Sequence, residues 1–288
     1  MTPGGRAAVF GRPIGHSKSP ALHRAAYAAL RLDISYEPID AGADDADALA
    51  RRLRTEPGWR GASVTMPLKH AMVPLMDSVS ARVGRLGALN TIVVGGAPGH
   101  PTLRGENTDV EGIVRALNDA GARGVRRVAI LGAGGTATAA TEAASLLGAR
   151  SVDFAVRSLP RAAGCLALAD RLGLAAEAID PSEAGLRMPG YDAVISTLPA
   201  GAADPLLPVL RVDSIRPGTA LLDVIYDPWP SELARSWEAA GGRVAGGLSM
   251  LVHQAVEQVR LFTGGGERDW AGVTNVMCDA VGLPRPAA

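Results

Sequence analysis

Residues 126–137, RRVAILGAGGTA, constrain the fold more tightly than any other stretch of this chain. VAIL is an unbroken apolar run, the pattern of a strand buried on both faces of a parallel sheet. It ends in a glycine turn, after which TATAATEAASLLG (136–148) has the pattern of a helix. The same alternation runs through the chain. Strands are expected at AAVFG (7–11), ISYEPID (34–40), GASVTMP (61–67), ALNTIVVG (88–95), SVDFAV (151–156), YDAVISTL (191–198) and TALLDVIY (219–226). Helices are expected at SPALHRAAYAAL (19–30), with Ser19 as N-cap and Pro20 first in the helix. Others are expected at DADALARRLR (45–54), VEGIVRALNDAG (110–121), RAAGCLALADRLG (161–173), SELARSWEAAGG (231–242) and LSMLVHQAVEQVRLFTG (248–264). This order predicts an α/β chain with parallel sheets.

The 288 residues allow one large domain or two ordinary ones. The patterns divide in two: residues 1–109, and residues 110–246 built around the strand before Gly132, with 247–288 returning to complete the first. Apolar residues at 47% can build both cores, and aromatics at 4% leave those cores mostly to Ala, Val, Leu and Ile. The 29 basic and 29 acidic residues cancel, so no electrostatic case exists for nucleic acid or an anionic membrane. No apolar run is long enough to span a bilayer, and MTPGGRAAVFGRP has no apolar signal core, so a cytoplasmic protein is expected. Cys165 and Cys278 are too few and too far apart for a disulfide framework or a zinc site and read as small buried hydrophobes. No His/Cys/Asp cluster has ligand spacing, so no metal is expected.

ILGAGGTA fits G-x-G-x-x-G/A through Gly132, Gly134 and Ala137, directly after a strand and opening a helix. Gly132 permits the tight turn. Gly134 lets backbone approach a pyrophosphate, and Ala137 lets helix and strand pack closely. Ala133, Gly135 and Thr136 complete the loop, whose helix N–H groups face the phosphates. The alternative is a glycine-rich turn with no ligand. The next strand ends at Val156, Arg157 and Ser158, with Arg161 shortly after and no carboxylate to accept from a ribose 2′-hydroxyl. Two guanidiniums and a hydroxyl suit a 2′-phosphate, which points to NADP, although a solvated surface pair remains the plain reading. Asp153 lies mid-strand and reads as structural.

Several polar residues sit where strands end. Ser17 and Ser19 of GRPIGHSKSP can point two hydroxyls at one anion, or serve as turn residue and N-cap. Lys69 of VTMPLK falls in a first helical turn, where the macrodipole disfavours a cation, and a lowered pKa there suits proton transfer. Thr65, Asn90, Asp109, Tyr226 and Gln254 are further candidates. Each has a bland reading: Asn90 and Tyr226 satisfying backbone, Gln254 on a helix face, Lys69 and Asp109 as a surface pair. His16 reads as a turn residue and His253 as lying on another face of its helix, while His70 beside Lys69 stays open.

Taken together, GRPIGHSKSP, VTMPLK, NT, NTD, GAGGTA, YDPWP and GLSMLVHQA resemble, in order along nearly the whole chain, the shikimate dehydrogenase family. The resemblance implies an N-terminal α/β substrate domain followed by a Rossmann-type dinucleotide-binding domain. It implies NADPH-dependent, reversible reduction of 3-dehydroshikimate in aromatic amino acid (chorismate) biosynthesis, by a monomer or homodimer. It assigns Lys69 and Asp109 as the catalytic pair and Ser17 and Ser19 to the substrate carboxylate, with Tyr226 nearby. Thr65, Asn90 and Gln254 fall to the ring hydroxyls or carbonyl, and Gly247 and Met250 to the cofactor. Two positions depart: Ser63 stands where the family often has Asn, and Val156-Arg157-Ser158 where it often has Asn-Arg-Thr. The rivals are a quinate/shikimate or aminoshikimate dehydrogenase paralogue and a non-enzymatic NADP-binding regulator. Within the resemblance, quinate users tend to carry Thr at position 19, and a regulator is expected to lose Lys69 or Asp109.

Overall fold

The structure, a computed structural model, describes residues 4–97 and 99–286. It divides into two compact units, Met1–Thr108 with Gln254–Pro286, and Asp109–His253.

The first unit holds β1 (Gly5–Gly11), β2 (Ile34–Asp40), β3 (Trp59–Val64), β4 (Ser78–Val79), β5 (Thr91–Ala97) and β6 (His100–Glu106). They form one sheet in the order β2-β1-β3-β5-β6-β4. β1 runs parallel to β2 and β3, but β5 is antiparallel to both β3 and β6. The sheet is therefore mixed, parallel at β2-β1-β3 as the β-α order predicts and antiparallel at β5. The cause is the short link between Ala97 and His100, which face each other across β5 and β6. So short a link closes a hairpin and cannot make a crossover. Phe10, Leu53, Trp59, Leu68, Met72, Leu89 and Ile92 form the core of this unit.

The second unit holds β7 (Arg127–Leu131), β8 (Ser151–Ala155), β9 (Ala175–Ile179), β10 (Ala193–Ser196), β11 (Ala220–Asp223) and β12 (Arg243–Gly246). All are parallel, in the order β12-β11-β10-β7-β8-β9. The chain starts at the centre, winds to one edge, returns beside β7 at β10 and winds to the other edge. This is a doubly wound order, and in sheets of this kind the reversal point, here between β7 and β10, is the usual place for a ligand. β9 and β12 escape the sequence pattern because each is an edge strand with a single buried residue. Leu131, Ile179, Tyr191, Val194, Leu221 and Trp237 fill the core on one side of this sheet. The few aromatics do much of the packing in both units: Trp237, Tyr27, Tyr36, Tyr191, Phe10 and Phe154 are among the largest fully buried side chains. Cys165 and Cys278 are buried and free, and burial pushes the Cys165 thiol up to about 11.

One cap differs from expectation. The first helix, Ser19–Ala29, has Lys18 at its N-cap position and no side-chain cap bond. Ser19 is the first helical residue, and its N–H donates to Ser17 Oγ at 3.3 Å.

Candidate functional site

In the first unit β1 and β3 run the same way and β5 opposite, so the ends of β1 and β3 and the start of β5 share one edge. Most of the candidate residues of this unit lie there. Thr65 follows β3 and anchors its N–H to the Phe10 carbonyl at 2.9 Å. Asn90 precedes β5, and its carbonyl accepts from Val64 N–H at 2.7 Å. Ser17 is half-buried and Ser19 only 6% exposed, at the turn that leads from β1 into the first helix. Lys69 is half-buried in Leu68–Ala71, a helix of 4 residues. In so short a helix Lys69 belongs to the first and the last turn at once, which removes the macrodipole reason for singling it out. His70 Nδ1 donates to the Gly87 carbonyl at 2.9 Å.

The edge is tied together by a buried polar network. Asn90 Nδ2 donates to Thr108 Oγ1 at 3.0 Å and to Gln254 Oε1 at 3.2 Å. Asn90 Oδ1 accepts from Thr108 N–H at 2.8 Å and from Thr91 Oγ1 at 2.7 Å. Asn90 and Gln254 thus meet directly, at 2% and 5% exposure. Beside them Ser63 accepts from the Tyr36 hydroxyl at 2.6 Å and donates to Gln258 Oε1 at 2.7 Å. Burial holds the Tyr36 phenol well above its usual range, against the pull of the Ser63 and Ser19 hydroxyls. The Tyr36 ring stacks on His23 at 4.0 Å, and His23 Nδ1 donates to the Ser19 carbonyl at 3.0 Å. Burial lowers the His23 pKa to about 4.

In the second unit the candidates also gather at the carboxyl ends of parallel strands. Gly132 follows β7 at φ +103, and a Cβ there would lie 2.7 Å from Thr197 Oγ1, so the turn requires glycine. The helix Gly135–Leu146 follows at once. Gly134 and Gly135 are exposed, a Cβ on Gly134 would meet nothing within 4 Å, and Ala137 is fully buried on the sheet side. Ala133 and Thr136 are half-buried between them. Backbone N–H groups with open space above them form the cradle a pyrophosphate needs. Arg157, Ser158 and Arg161 lie exposed beyond β8, and Arg161 N–H donates to the Ser158 carbonyl at 3.1 Å. Among the described residues no carboxylate pairs with either arginine, which leaves both able to take an anion. Asp153, by contrast, is consumed by Tyr191, Arg127 and Arg187 at 2.7, 2.9 and 3.2 Å.

Past β11, Tyr226 is half-buried and its pKa is raised, first by burial and then by Asp227. Past β12, Gly247 packs against the end of β11: a Cβ there would lie 2.1 Å from the Val224 carbonyl oxygen. Met250 is half-buried on the same helix. Asp109 opens the helix Asp109–Asp119 at 6% exposure, in the first turn where a carboxylate is favoured. His253 pairs with Asp119 at 2.6 Å.

Five residues of the network, Tyr36, His23, Thr91, Thr108 and Gln258, belong to no candidate set drawn from the sequence. A signal for one exists: Gln254 and Gln258 are four apart, on one face of an apolar helix, where two buried amides need partners.

Comparison with known proteins bears on this arrangement. The Shikimate dehydrogenase substrate binding domain profile matches residues 9–92, and the Shikimate 5'-dehydrogenase C-terminal domain profile matches residues 247–264. A "Shikimate dehydrogenase (NADP(+))" of Moorella thermoacetica is 36% identical over 290 residues, covering 96% of this chain and 94% of that protein. The crystal structure of Mycobacterium tuberculosis shikimate dehydrogenase superposes with a TM-score of 0.83 at 36% identity, over 96% of this chain and 99% of that one. The Thermus thermophilus shikimate 5-dehydrogenase in complex with NADP(H) and shikimate gives 0.80 at 31% identity, over 96% and 99%.

Proposed function

The chain belongs to the shikimate dehydrogenase family, and from that premise we propose that it reduces 3-dehydroshikimate reversibly to shikimate with NADPH, a step of aromatic amino acid biosynthesis. The observation that carries the reading is the doubly wound second unit, with an open glycine cradle at its reversal point and two arginines without carboxylate partners beyond the next strand. The cofactor supplies the hydride. Gly132, Ala133, Gly134, Gly135, Thr136 and Ala137 shape the pyrophosphate cradle, and Arg157, Ser158 and Arg161 take the 2′-phosphate. Gly247 and Met250 border the nicotinamide end. Ser17 and Ser19 hold the substrate carboxylate, with Tyr226 near it. Thr65, Asn90 and Gln254 orient the ring oxygens. Lys69 gives a proton to the alkoxide oxygen as the carbonyl is reduced, and takes it back in the reverse direction, with Asp109 as the second member of the catalytic pair. In this reading the unit Met1–Thr108 with Gln254–Pro286 binds substrate and Asp109–His253 binds cofactor.

No helix among the described residues is long and apolar enough to cross a membrane; a cytoplasmic location and a monomer or homodimer belong to the proposal. The test is turnover of shikimate with NADP⁺, followed as NADPH absorbance, beside quinate and NAD⁺. Preference for shikimate with NADP⁺ is the expected result. Preference for quinate or NAD⁺, or no turnover at all, refutes it.

A further inference from the structure

We propose that Gln258 is a positioning residue for this reaction: its buried amide closes a one-way hydrogen-bonded relay that fixes how the Asn90 and Gln254 amides face. The inference rests on the reading of Asn90 and Gln254 as substrate-orienting groups.

The direction of the relay follows from donors and acceptors alone. Gln258 is 1% exposed, and its Nε2 lies 3.0 Å from the Asn90 carbonyl oxygen. A carbonyl only accepts, so that end of the amide is the NH₂. Gln258 Oε1 therefore faces Ser63, whose hydroxyl must donate to it at 2.7 Å. With its proton spent, Ser63 Oγ accepts from Tyr36 at 2.6 Å. Gln258 Nε2 also donates to Thr91 Oγ1 at 3.0 Å, so the Thr91 proton goes to Asn90 Oδ1 at 2.7 Å. Thr108 N–H, a donor by nature, reaches the same Oδ1 at 2.8 Å. The Asn90 amide is thereby locked with its NH₂ toward Thr108 and Gln254, and Gln254 receives it with Oε1. Gln254 thus turns Oε1, and not Nε2, toward Asn90. A ring oxygen gaining negative charge during reduction is matched by a donor rather than an acceptor.

Ser63 cannot make this lock by itself. A hydroxyl has one proton, whereas the gap needs a group that accepts from one side and donates twice on the other, as an amide does. Ser63 and Thr91 are direct partners across β3 and β5, so their side chains share a face. An amide placed at position 63 would start on the same face as Thr91.

The test is steady-state kinetics on Gln258→Ala, with and without Ser63→Asn, beside Asn90→Ala and Gln254→Ala. Gln258→Ala is expected to raise KM for shikimate roughly tenfold, the scale of one lost buried hydrogen bond, and leave KM for NADP⁺ unchanged. Adding Ser63→Asn is expected to recover most of that loss. Should Gln258→Ala not fold, Tyr36→Phe removes only the first donor and is expected to raise KM for shikimate in the same direction. A folded Gln258→Ala with native KM, whatever its melting temperature, overturns the proposal, as does a Ser63→Asn revertant that restores stability but not KM. If Asn90→Ala and Gln254→Ala also leave KM unchanged, the fault lies with the substrate site itself and not with the relay.

Discussion

Replacing His23 by Asn should flatten the acid limb of the stability curve. His23 is fully buried, stacked on the Tyr36 ring with Tyr27 edge-on and Phe262 tilted beside it. Its Nδ1–H is used on the Ser19 carbonyl, and Nε2 finds no partner among the described residues. Protonation would place a charge on that unpartnered nitrogen, and burial accordingly lowers the pKa from 6.5 to about 4. The unfolded chain thus takes up a proton that the folded protein refuses. The stabilisation is complete above the unfolded pKa near 6.5 and is lost as pH falls toward about 4, below which this group has no further effect. At about 1.4 kcal/mol per pKa unit, the gap is worth on the order of 3 kcal/mol, of which roughly 2 is gone by pH 5. The assay is urea unfolding of the native protein and His23→Asn at several pH values between about 7.5 and 5. Asn keeps a donor for Ser19 but does not titrate, so the variant should be weaker at neutral pH and close the gap on acidification. Curves that stay parallel over the range would show that His23 charges in the folded state as easily as in the unfolded one.

Three further outcomes are expected. Lys69→Ala should keep shikimate binding and lower kcat by roughly 10²–10⁴-fold, and Asp109→Asn should lower it without adding to the first loss; native turnover in Lys69→Ala refutes the pair. Ser17→Ala with Ser19→Ala should raise KM for shikimate and spare NADP⁺, each lost bond to a charged group being worth about 1.5–3 kcal/mol. Because Ser17 Oγ, and not Ser19 Oγ, accepts at the helix start, Ser17→Ala should lower the melting temperature by loss of that bond; an unchanged melting temperature would refute the capping role of Ser17. Arg157→Ala should weaken NADP⁺ by about ten- to a hundredfold and leave NAD⁺ untouched; equal losses would make the arginine a support of the fold.

What the sequence made legible, and what it hid, follows from the range of the forces involved. The β7–turn–helix unit could be read because its determinants are local: an apolar strand, a glycine at φ +103 and a small residue at Ala137 lie within a dozen positions. The expected cap at Ser19 failed at the same short range, since two serines two residues apart offer the backbone interchangeable oxygens and only the folded turn decides which is taken. The antiparallel β5–β6 arm was hidden for a different reason. HPTLRGE buries only two of its residues, so its pairing is set by the tight link to β5 and not by an apolar stripe. Lys69 was singled out on a dipole argument that a helix of 4 residues cannot sustain, and its assignment stands on the resemblance and on its place beyond β3. The relay through Ser63 was the least legible of all. Gln258 lies 195 positions from Ser63, and nothing in either local sequence requires the other. Yet burying an amide with no partner costs about 1–3 kcal/mol. A second glutamine four residues after Gln254, on a helix otherwise apolar on that face, therefore demands a polar receptor in the core. That receptor is the edge where β3 ends and β5 begins, the same edge that carries Thr65 and Asn90.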